Sequence, residues 1–332
     1  MNRFVLITVS VCMLFATLFY AGCKKDEEES TISPYIEGLS IANFPVIDGS
    51  TSTLPLITVI ACELMGLDCQ WKENVEHSRR TWSMEPQTGR SLRRKFDNVV
   101  KSSQTHNSFI NVIDGQADIA LTARTMSPNE KQYAQDKGVE LIETPVALDA
   151  FIFLINPQNP TNSLTIGDIQ DIYIGETTDW EDLGWTPQSN YSTIHPLIRN
   201  PNSGSQELMD LLVMKDLLYY TQLPIYEEAL VFTMQGMLDA IASNSFAIGY
   251  TVYYYNEYII RPGNALKTIG INGVHPNRQT ITNRSYPLTA EVYAVIRSDT
   301  DVSSMTYKVY EWLQTERGRE AISNSGYIPY EN

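Results

Sequence analysis

Apolar strand-like segments alternate with helix-like segments along most of this chain. Residues 44–47 and 117–121 are examples of the strand type, and each leads into a polar turn before the next segment. Such alternation is typical of α/β architecture, in which helices cover the faces of a sheet. The 332 residues suffice for one large domain or two lobes of ordinary size, and a hydrophobic share of 43% predicts a buried core.

The N-terminus predicts export. Arg3 precedes an apolar run over residues 4–20, and Ala21-Gly22-Cys23 follows. The pattern resembles a bacterial lipoprotein signal peptide over residues 1–22, with Cys23 as the lipidated first mature residue, and the alternative is an uncleaved membrane anchor. Residues 23–35 are a charged tether. Either interpretation tethers an exported protein to the cell envelope, on its periplasmic or outer side.

Two cysteines remain for the folded body, Cys62 and Cys69. An exported protein meets an oxidising compartment, which favours disulfides. Seven helical residues would separate the two by roughly 10 Å, too far for a bond, unless Gly66 ends the helix and lets the chain turn back. Their pairing is left open. The four histidines show no metal-ligand spacing, so no metal site is predicted.

A net charge of −15 argues against nucleic-acid binding, which needs a basic surface. It would also not steer an anion toward the protein, so an anionic ligand must rely on local donors. A basic cluster lies within residues 79–95. It is interpreted either as a solvated loop and helix face or as a rim near the ligand. Its members are Arg79, Arg80, Arg90, Arg93, Arg94 and Lys95.

Three polar turns rich in Ser, Thr and Gly each precede a predicted helix. They lie at residues 49–53, 105–108 and 203–205. A helix N-terminus carries unpaired N–H groups and a partial positive charge, so it suits an anion, and hydroxyl groups add donors. Ser and Thr also stand at helix starts simply as caps. Ser203 and Gln206 have capping-box spacing.

Two arginines stand beside these turns. Arg199 lies four residues before Ser203, at the end of a predicted strand, where a guanidinium could grip an oxyanion with two hydrogen bonds. Arg124 follows the strand at 117–121 and is interpreted either as a second ligand or as an ion-pair residue. The last predicted helix covers residues 304–324.

The sequence resembles the periplasmic phosphate-binding proteins of ABC phosphate importers in six short stretches, which follow one another in the order that the family has. The matching stretches are residues 48–56, 114–119, 164–184, 199–205, 247–250 and 286–288. The resemblance implies a two-lobed type II periplasmic-binding-protein fold with mixed sheets flanked by helices. Two crossover strands would join the lobes, with the ligand between them. Lobe one would take residues 36–146 and 266–332, and lobe two residues 147–265.

The resemblance also implies a set of ligand contacts. They are Ser52, Thr53, the backbone of Leu54, Thr105, Arg124, Arg199, Ser203, Gly204 and Ser205. Some members of the family carry an Asp acceptor where this chain has Ala123 or Pro201. Without that carboxylate, selectivity for phosphate over a fully ionised oxyanion is left open. Asp149 is a further candidate acceptor, or a structural residue at a strand end.

The sequence therefore predicts a monomeric solute-binding protein. Inorganic phosphate or a similar tetrahedral oxyanion would close the lobes, and the closed form would dock on ABC permease subunits. No cofactor is predicted. The histidines form no grouping with a nucleophile, so an enzyme is not expected. The alternative is a sensory or adhesive surface protein that keeps the fold without transport.

Overall fold

The structure is a computed structural model that describes residues 32–76, 79–188, 191–219, 230–231, 233–261, 263 and 265–331. The predicted signal peptide, the predicted lipidation site Cys23 and residues 23–31 of the predicted tether lie outside these residues. Within the described ranges, the helices are too short or too polar to cross a membrane.

Helices flank the sheet on the described part of the chain, and most begin at a polar cap. Pro55 stands in the first turn of α1, where its missing N–H costs no hydrogen bond. Gly66 ends α1 in the left-handed conformation, as expected. The α-helices are α1 Leu54–Met65, α2 Arg90–Val99, α3 Thr105–Ile113, α4 Pro128–Lys137, α5 Ile166–Ile174, α6 Gly204–Met209, α7 Met234–Ser243, α8 Arg278–Thr282, α9 Met305–Trp312 and α10 Glu316–Asn324.

Within the described ranges there are also short helices of other types: 3-10 turns at Thr51–Thr53 and Trp180–Leu183, and π-helical turns at Asp210–Met214 and Tyr255–Ile260. The single helix expected over residues 304–324 is interrupted between α9 and α10. Thr315 caps α10 by accepting from the Gly318 N–H, which starts a new helix there.

The strands form a mixed central sheet in the order β1-β4-β13-β5-β10-β7, and β11 and β14 also pair with β5. The outer pairs β1–β4 and β10–β7 are parallel, whereas β13 and β5 run antiparallel to their neighbours. The strands are β1 Ile47–Gly49, β2 Cys69–Glu76, β3 Arg79–Pro86, β4 Ile119–Thr122, β5 Leu141–Ile155, β6 Ser163–Leu164, β7 His195–Pro196, β8 Ile198–Arg199, β9 Leu230–Val231, β10 Ala247–Val252, β11 Lys267–Thr268, β12 Gly270–Ile271, β13 Thr289–Arg297 and β14 Ile328–Pro329.

Two large hydrophobic clusters define two lobes, and β5 passes from one to the other. Ala147 packs in the first cluster and Leu148 in the second. A second segment, residues 252–260, also contacts both clusters and is called the second crossing: Tyr254 packs in the first cluster, whereas Tyr255 and Ile260 pack in the second. The first cluster contains the buried faces of α1, α9 and α10, and the second those of α5 and α7. One long strand therefore contributes to both cores.

Residues 266–290 differ from the expected division of the chain, which returned to lobe one at 266. Ile269, Ile281 and Leu288 pack in the second cluster instead. The cause is strand pairing, since β11 pairs with β5 near Ile155 and β12 pairs with β6. The core packing places the return to the first lobe within β13.

A hairpin of β2 and β3 projects from the end of α1. Cys62 and Cys69 form a disulfide with a Cα–Cα distance of 6.2 Å, which ties the base of the hairpin to α1. Gly66 makes the turn that brings them together. The hairpin packs on the second crossing, where Trp71 stacks near Tyr258 with ring centroids 6.4 Å apart.

Candidate functional site

A cavity of about 410 Å³ lies between the lobes. The three predicted helix-start turns all contribute to its wall, although they are distant along the chain, and the start of α7 supplies a fourth segment. Among the described residues, no Asp or Glu lines it. The lining residues are Ser50, Thr51, Ser52, Gln104, Thr105, His106, Asn107, Ala123, Arg199, Asn200, Pro201, Asn202, Ser203, Gly204, Ser205, Thr233, Met234, Gln235, Val252 and Tyr255.

The first turn follows β1 directly. The Ser50 hydroxyl accepts from the Ala123 N–H at 3.0 Å and shares a hydrogen bond of 2.8 Å with the Thr105 hydroxyl, so it joins the first turn to the second. Gly49 is required here, because a Cβ would stand 2.5 Å from the Leu121 carbonyl oxygen. Close backbone packing thus brings the helix start to the end of the strand.

The second turn is held in place by Asp48. Its buried carboxylate accepts from the backbone N–H of Ser103 at 2.8 Å and from the Asn111 side chain at 2.7 Å. Gln104 has a φ of 70°, which reverses the chain immediately before α3. Thr105, the first residue of α3, is buried and lines the cavity.

Arg199 stands at the end of β8, four residues before Ser203 of the third turn. Its side chain is only 5% exposed, yet the residue lines the cavity. Burial lowers the pKa of the guanidinium below its usual value, because the charged form has lost solvation. An anion in the cavity would offset that loss.

Gln206 fixes the turn in a way that differs from the expected capping box. Ser203 caps the Gln206 N–H at 3.2 Å, as its spacing predicts. The Gln206 side chain, however, does not return to the cap. Its oxygen accepts from the Arg199 N–H at 3.0 Å and from the Tyr250 hydroxyl at 2.5 Å. The backbone of Arg199 is therefore locked to α6.

Arg124 does not line the cavity. Its guanidinium is 3% exposed and pairs with the fully buried Glu130 through two hydrogen bonds, of 2.7 and 2.8 Å. The ion-pair interpretation of Arg124 fits this placement better than the ligand interpretation. Arg124 lies behind the wall, where it also reaches Asn202 of the opposite lobe.

Other predicted residues divide between the wall and the layer behind it. Thr53 is buried behind the cavity, where its hydroxyl donates to the Leu121 carbonyl at 2.7 Å, and Leu54 begins α1 without reaching the wall. Asp149 lies in β5 at the crossing between the lobes, away from this cavity. Ser52, Thr105, Ser203, Gly204 and Ser205 line it.

The basic segment contributes nothing to the cavity wall within the described ranges. Arg93 pairs with Glu85 and Asp97, and Arg80 lies 3.4 Å from Glu73. These are contacts of the hairpin and α2, as the solvated-face interpretation expected.

Sequence reasoning missed the segment from Thr233 to Gln235. Thr233 caps α7 by accepting from the Gly236 N–H at 2.9 Å, which is the same Ser/Thr helix-start signal used for the other turns. Tyr255 was also missed. It packs in the second cluster and lines the cavity.

The wall combines one buried cation, hydroxyl groups and helix starts, without a nucleophile–base pair or a metal-ligand cluster among the described residues. Such a wall can hold an anion through many hydrogen bonds. Two lobes around this cleft define the class of type II periplasmic binding proteins, with mixed sheets flanked by helices.

Comparison with known proteins gives the family. A family model described as "PBP superfamily domain" matches residues 91–317, and the chain belongs to that family. The chain is 26% identical over 241 residues to a phosphate-binding protein PstS of Staphylococcus epidermidis, covering 70% of each chain. It is 23% identical over 212 residues to the PstS of Borreliella burgdorferi, covering 63% of this chain and 71% of the relative.

Solved structures share the fold. An ABC-type phosphate transport receptor from Vibrio cholerae superposes with a TM-score of 0.57 at 21% identity, covering 85% of this chain and 98% of the other. A phosphate-binding protein from Stenotrophomonas maltophilia superposes with a TM-score of 0.54 at 11% identity, covering 86% and 91%. At these identities the likeness establishes the architecture alone.

Proposed function

We propose that this protein binds inorganic phosphate, or a closely similar tetrahedral oxyanion, as the solute-binding protein of an ABC importer. The observation that carries the proposal is the buried Arg199 in a cavity whose described lining has no carboxylate. The names of the relatives, which are phosphate-binding proteins, support the same ligand.

The charge of the protein makes this arrangement informative. A net charge of −15 gives no long-range attraction for an anion. Placing a guanidinium inside the cleft costs solvation, as its lowered pKa indicates. Hydroxyl groups of Ser52, Thr105 and Ser205 lie on the same wall and could donate to the remaining ligand oxygens.

Two amide oxygens bear on selectivity. The side-chain oxygens of Asn200 and Gln235 are buried, and neither has a hydrogen-bond partner among the described residues. The Gln235 amide is oriented by Asp239, which accepts from its NH₂ group at 3.0 Å. Both residues line the cavity. They are candidates to accept an O–H of the ligand, in place of the missing carboxylate, which would favour a protonated anion over sulfate.

Calorimetry with the Arg199→Ala variant tests the proposal. The unmodified protein should bind phosphate, and the variant should lose at least about a hundredfold in affinity, since truncating one partner of a buried charge pair is costly. The control is Arg80→Ala, because Arg80 is exposed on the hairpin. Equal phosphate affinity in protein and Arg199→Ala variant would refute the assignment.

A thermal-shift panel of phosphate, arsenate, sulfate, molybdate and phosphonates tests selectivity. If the amide oxygens accept a ligand proton, phosphate and arsenate should stabilise the protein more than sulfate does. A Gln235→Met variant keeps the size of the side chain and removes the acceptor, so it should narrow that difference. An equal shift for sulfate and phosphate in the unmodified protein would contradict the role of the amides.

The proposal includes lipid anchoring at Cys23. Its support is the sequence pattern of residues 1–23. Mass spectrometry of the mature protein should find a diacylated or triacylated N-terminal cysteine, and a Cys23→Ser variant should leave the membrane fraction. Retention of that variant in the membrane would favour the uncleaved anchor.

Transport is distinguished from a sensory or adhesive role by uptake. In cells, loss of the protein should lower phosphate uptake, and a chain carrying Arg199→Ala should not restore it. Normal uptake without the protein would favour the non-transport alternative. Hydrolysis of a chromogenic phosphate ester provides the check against an enzyme.

A further inference from the structure

The strongest further observation is a set of hydrogen bonds that join the lobes directly, beside the cleft. Arg124 Nη2 donates to the main-chain oxygen of Asn202 at 3.2 Å. The Asn129 side-chain NH₂ donates to the Asn202 side-chain oxygen at 3.0 Å. Arg124 and Asn129 belong to the first lobe, whereas Asn202 lies directly before the third turn, in the second lobe.

We propose that Arg124, Glu130 and Asn129 form a latch that holds Asn202 and thereby keeps the cleft closed. In this assignment Arg124 is a positioning residue for the ligand rather than a ligand itself. The proposal rests on the proposed function only where phosphate release is measured.

The first-lobe half of the latch is rigid. Glu130 is fully buried and engages both terminal nitrogens of Arg124. It also accepts from the Ser127 N–H at 2.8 Å and lies 3.0 Å from His106 Nδ1. Because these contacts fix the carboxylate at the start of α4, the guanidinium is presented to the other lobe in one orientation.

The second-lobe half has the matching shape. Asn202 has a φ of 64°, a conformation that Asn tolerates better than most residues. This backbone presents both its main-chain and side-chain oxygens to the first lobe. Nearby, a Cβ on Gly204 would stand 2.4 Å from the Thr105 hydroxyl, so the lobes approach closely at that point.

The consequence for ligand binding follows from sequence proximity. Asn202 stands three residues after Arg199 and directly before Ser203, the cap of α6. Holding Asn202 therefore holds the segment that carries the buried cation. If the Arg124–Glu130 ion pair only stabilised the first lobe, it would not need the hydrogen bond to Asn202 in the second lobe.

Hydrogen exchange of the ligand-free full chain in detergent tests the latch. The variants are Asn129→Ala and the double variant Arg124→Gln/Glu130→Gln, which removes both buried charges together and so leaves neither uncompensated. Gln132→Ala is the matched control, because Gln132 is an exposed amide on the same helix that bonds only within it, to Asp136.

Amides of residues 200–206 should exchange roughly threefold faster in Asn129→Ala, the effect expected for one lost hydrogen bond, and roughly tenfold faster in the double variant. The control should not change. Unchanged exchange in both variants overturns the latch. So does an equal increase throughout the first lobe, which would show a purely structural pair.

Release of radiolabelled phosphate into an excess of unlabelled phosphate gives the second readout. Loss of the latch should raise the dissociation rate by factors similar to those for exchange. A locally faster exchange in a chain that binds no phosphate would keep the latch and refute the proposed ligand. Equal dissociation rates in all variants that bind phosphate would overturn the latch.

Discussion

The cleft and the hinge each bury an ionisable side chain, but the surroundings of the two side chains differ. In the cleft, Arg199 lies at the wall of a cavity of about 410 Å³, with room for a counter-ion. At the hinge, where β5 meets the second crossing, Asp149 lies beside a cavity of only about 10 Å³, near the lower limit for one water molecule. The first cavity has room for a small ion from solution, whereas the second has not.

The hinge carboxylate joins the two crossing segments. One oxygen of Asp149 accepts from the N–H groups of Ala150 at 2.8 Å and Tyr254 at 2.9 Å, and the other is buried without a hydrogen-bond partner among the described residues. Burial raises the pKa of Asp149 to about 7. Where no counter-ion can enter, the buried acid therefore holds its proton up to about neutral pH.

Aromatic rings close the hinge on the side of the hairpin. Tyr254 stacks on Tyr327 with centroids 3.7 Å apart and on Tyr258 at 4.8 Å. Tyr258 in turn stacks near Trp71 of β2 at 6.4 Å. Arg261 lies over the Trp82 ring at 4.2 Å. In this aromatic ladder, Tyr254, Tyr258 and Tyr327 line the small cavity beside Asp149, in contrast to the polar wall around Arg199.

The largest expected effect is on the pH dependence of stability and comes from the buried acid at the hinge. Asp149→Asn removes the buried charge while keeping an acceptor oxygen. The folded pKa of about 7 exceeds the usual 3.8, so the folded state binds the proton more tightly. The resulting stabilisation is complete below the unfolded pKa and is lost as the pH rises through about 7.

Urea unfolding from pH 4.5 to 8 measures this effect. The stability of Asp149→Asn relative to the unmodified protein should increase by about 3 kcal/mol over that interval. The exposed Asp182→Asn change is the control and should show no comparable trend. A stability difference that stays constant with pH would mean that Asp149 is already ionised at the hinge.

The second effect tests whether the hairpin contributes to stability without contributing to phosphate binding in the cleft. Replacing Cys62 and Cys69 by Ser opens the disulfide that ties the hairpin to α1. The loss of chain restriction in the unfolded state predicts a destabilisation of about 2 kcal/mol. Phosphate affinity should stay within twofold, because neither residue lines the cleft. A large loss of affinity would show that the hairpin controls lobe closure.

Local signals explain how much of the site could be predicted from the sequence. A Ser, Thr or Gly at the end of a helix acts within a few residues. The starts of α1, α3 and α6 and the end of α1 at Gly66 were therefore predicted from the sequence. The pairing of β11 with β5 joins residues that are more than 100 positions apart in the sequence, so no local sequence pattern predicts it. Residues 266–290 were therefore assigned to the other lobe.

Arg124 illustrates the same limit within the site. Its partner Glu130 is six residues away, and an ion pair was one of the two interpretations of Arg124 that the sequence allowed. Its bond to Asn202, however, spans 78 residues and exists only when the lobes are together. The amide oxygens of Asn200 and Gln235 could not be singled out either, because lack of a partner is a property of the packed structure.

The third effect concerns the cleft, where Gly204 of the second lobe lies close to Thr105 of the first. Gly204→Ala would place a Cβ 2.4 Å from the Thr105 hydroxyl and force the lobes or the side chain to shift. Overpacking of this size costs about 1–3 kcal/mol where it cannot relax. We expect about a tenfold loss of phosphate affinity in calorimetry. In the double variant Gly204→Ala/Thr105→Ala the hydroxyl group that the new Cβ would meet is gone, so urea unfolding should show part of the lost stability restored.

The smallest effect tests whether hinge and cleft communicate. The Tyr327 hydroxyl donates to the carbonyl oxygen of Ser52 at 3.2 Å, which links the aromatic ladder to the first turn of the cavity. Tyr327→Phe keeps the stacked ring and removes only this bond, so it should cost about 1 kcal/mol of stability and a few-fold in phosphate affinity. Tyr310→Phe, at a hydroxyl bonded to Thr144 away from the cavity, is the control. If both variants bind phosphate equally well, the ladder supports the fold without reaching the ligand, and the two buried charges act independently.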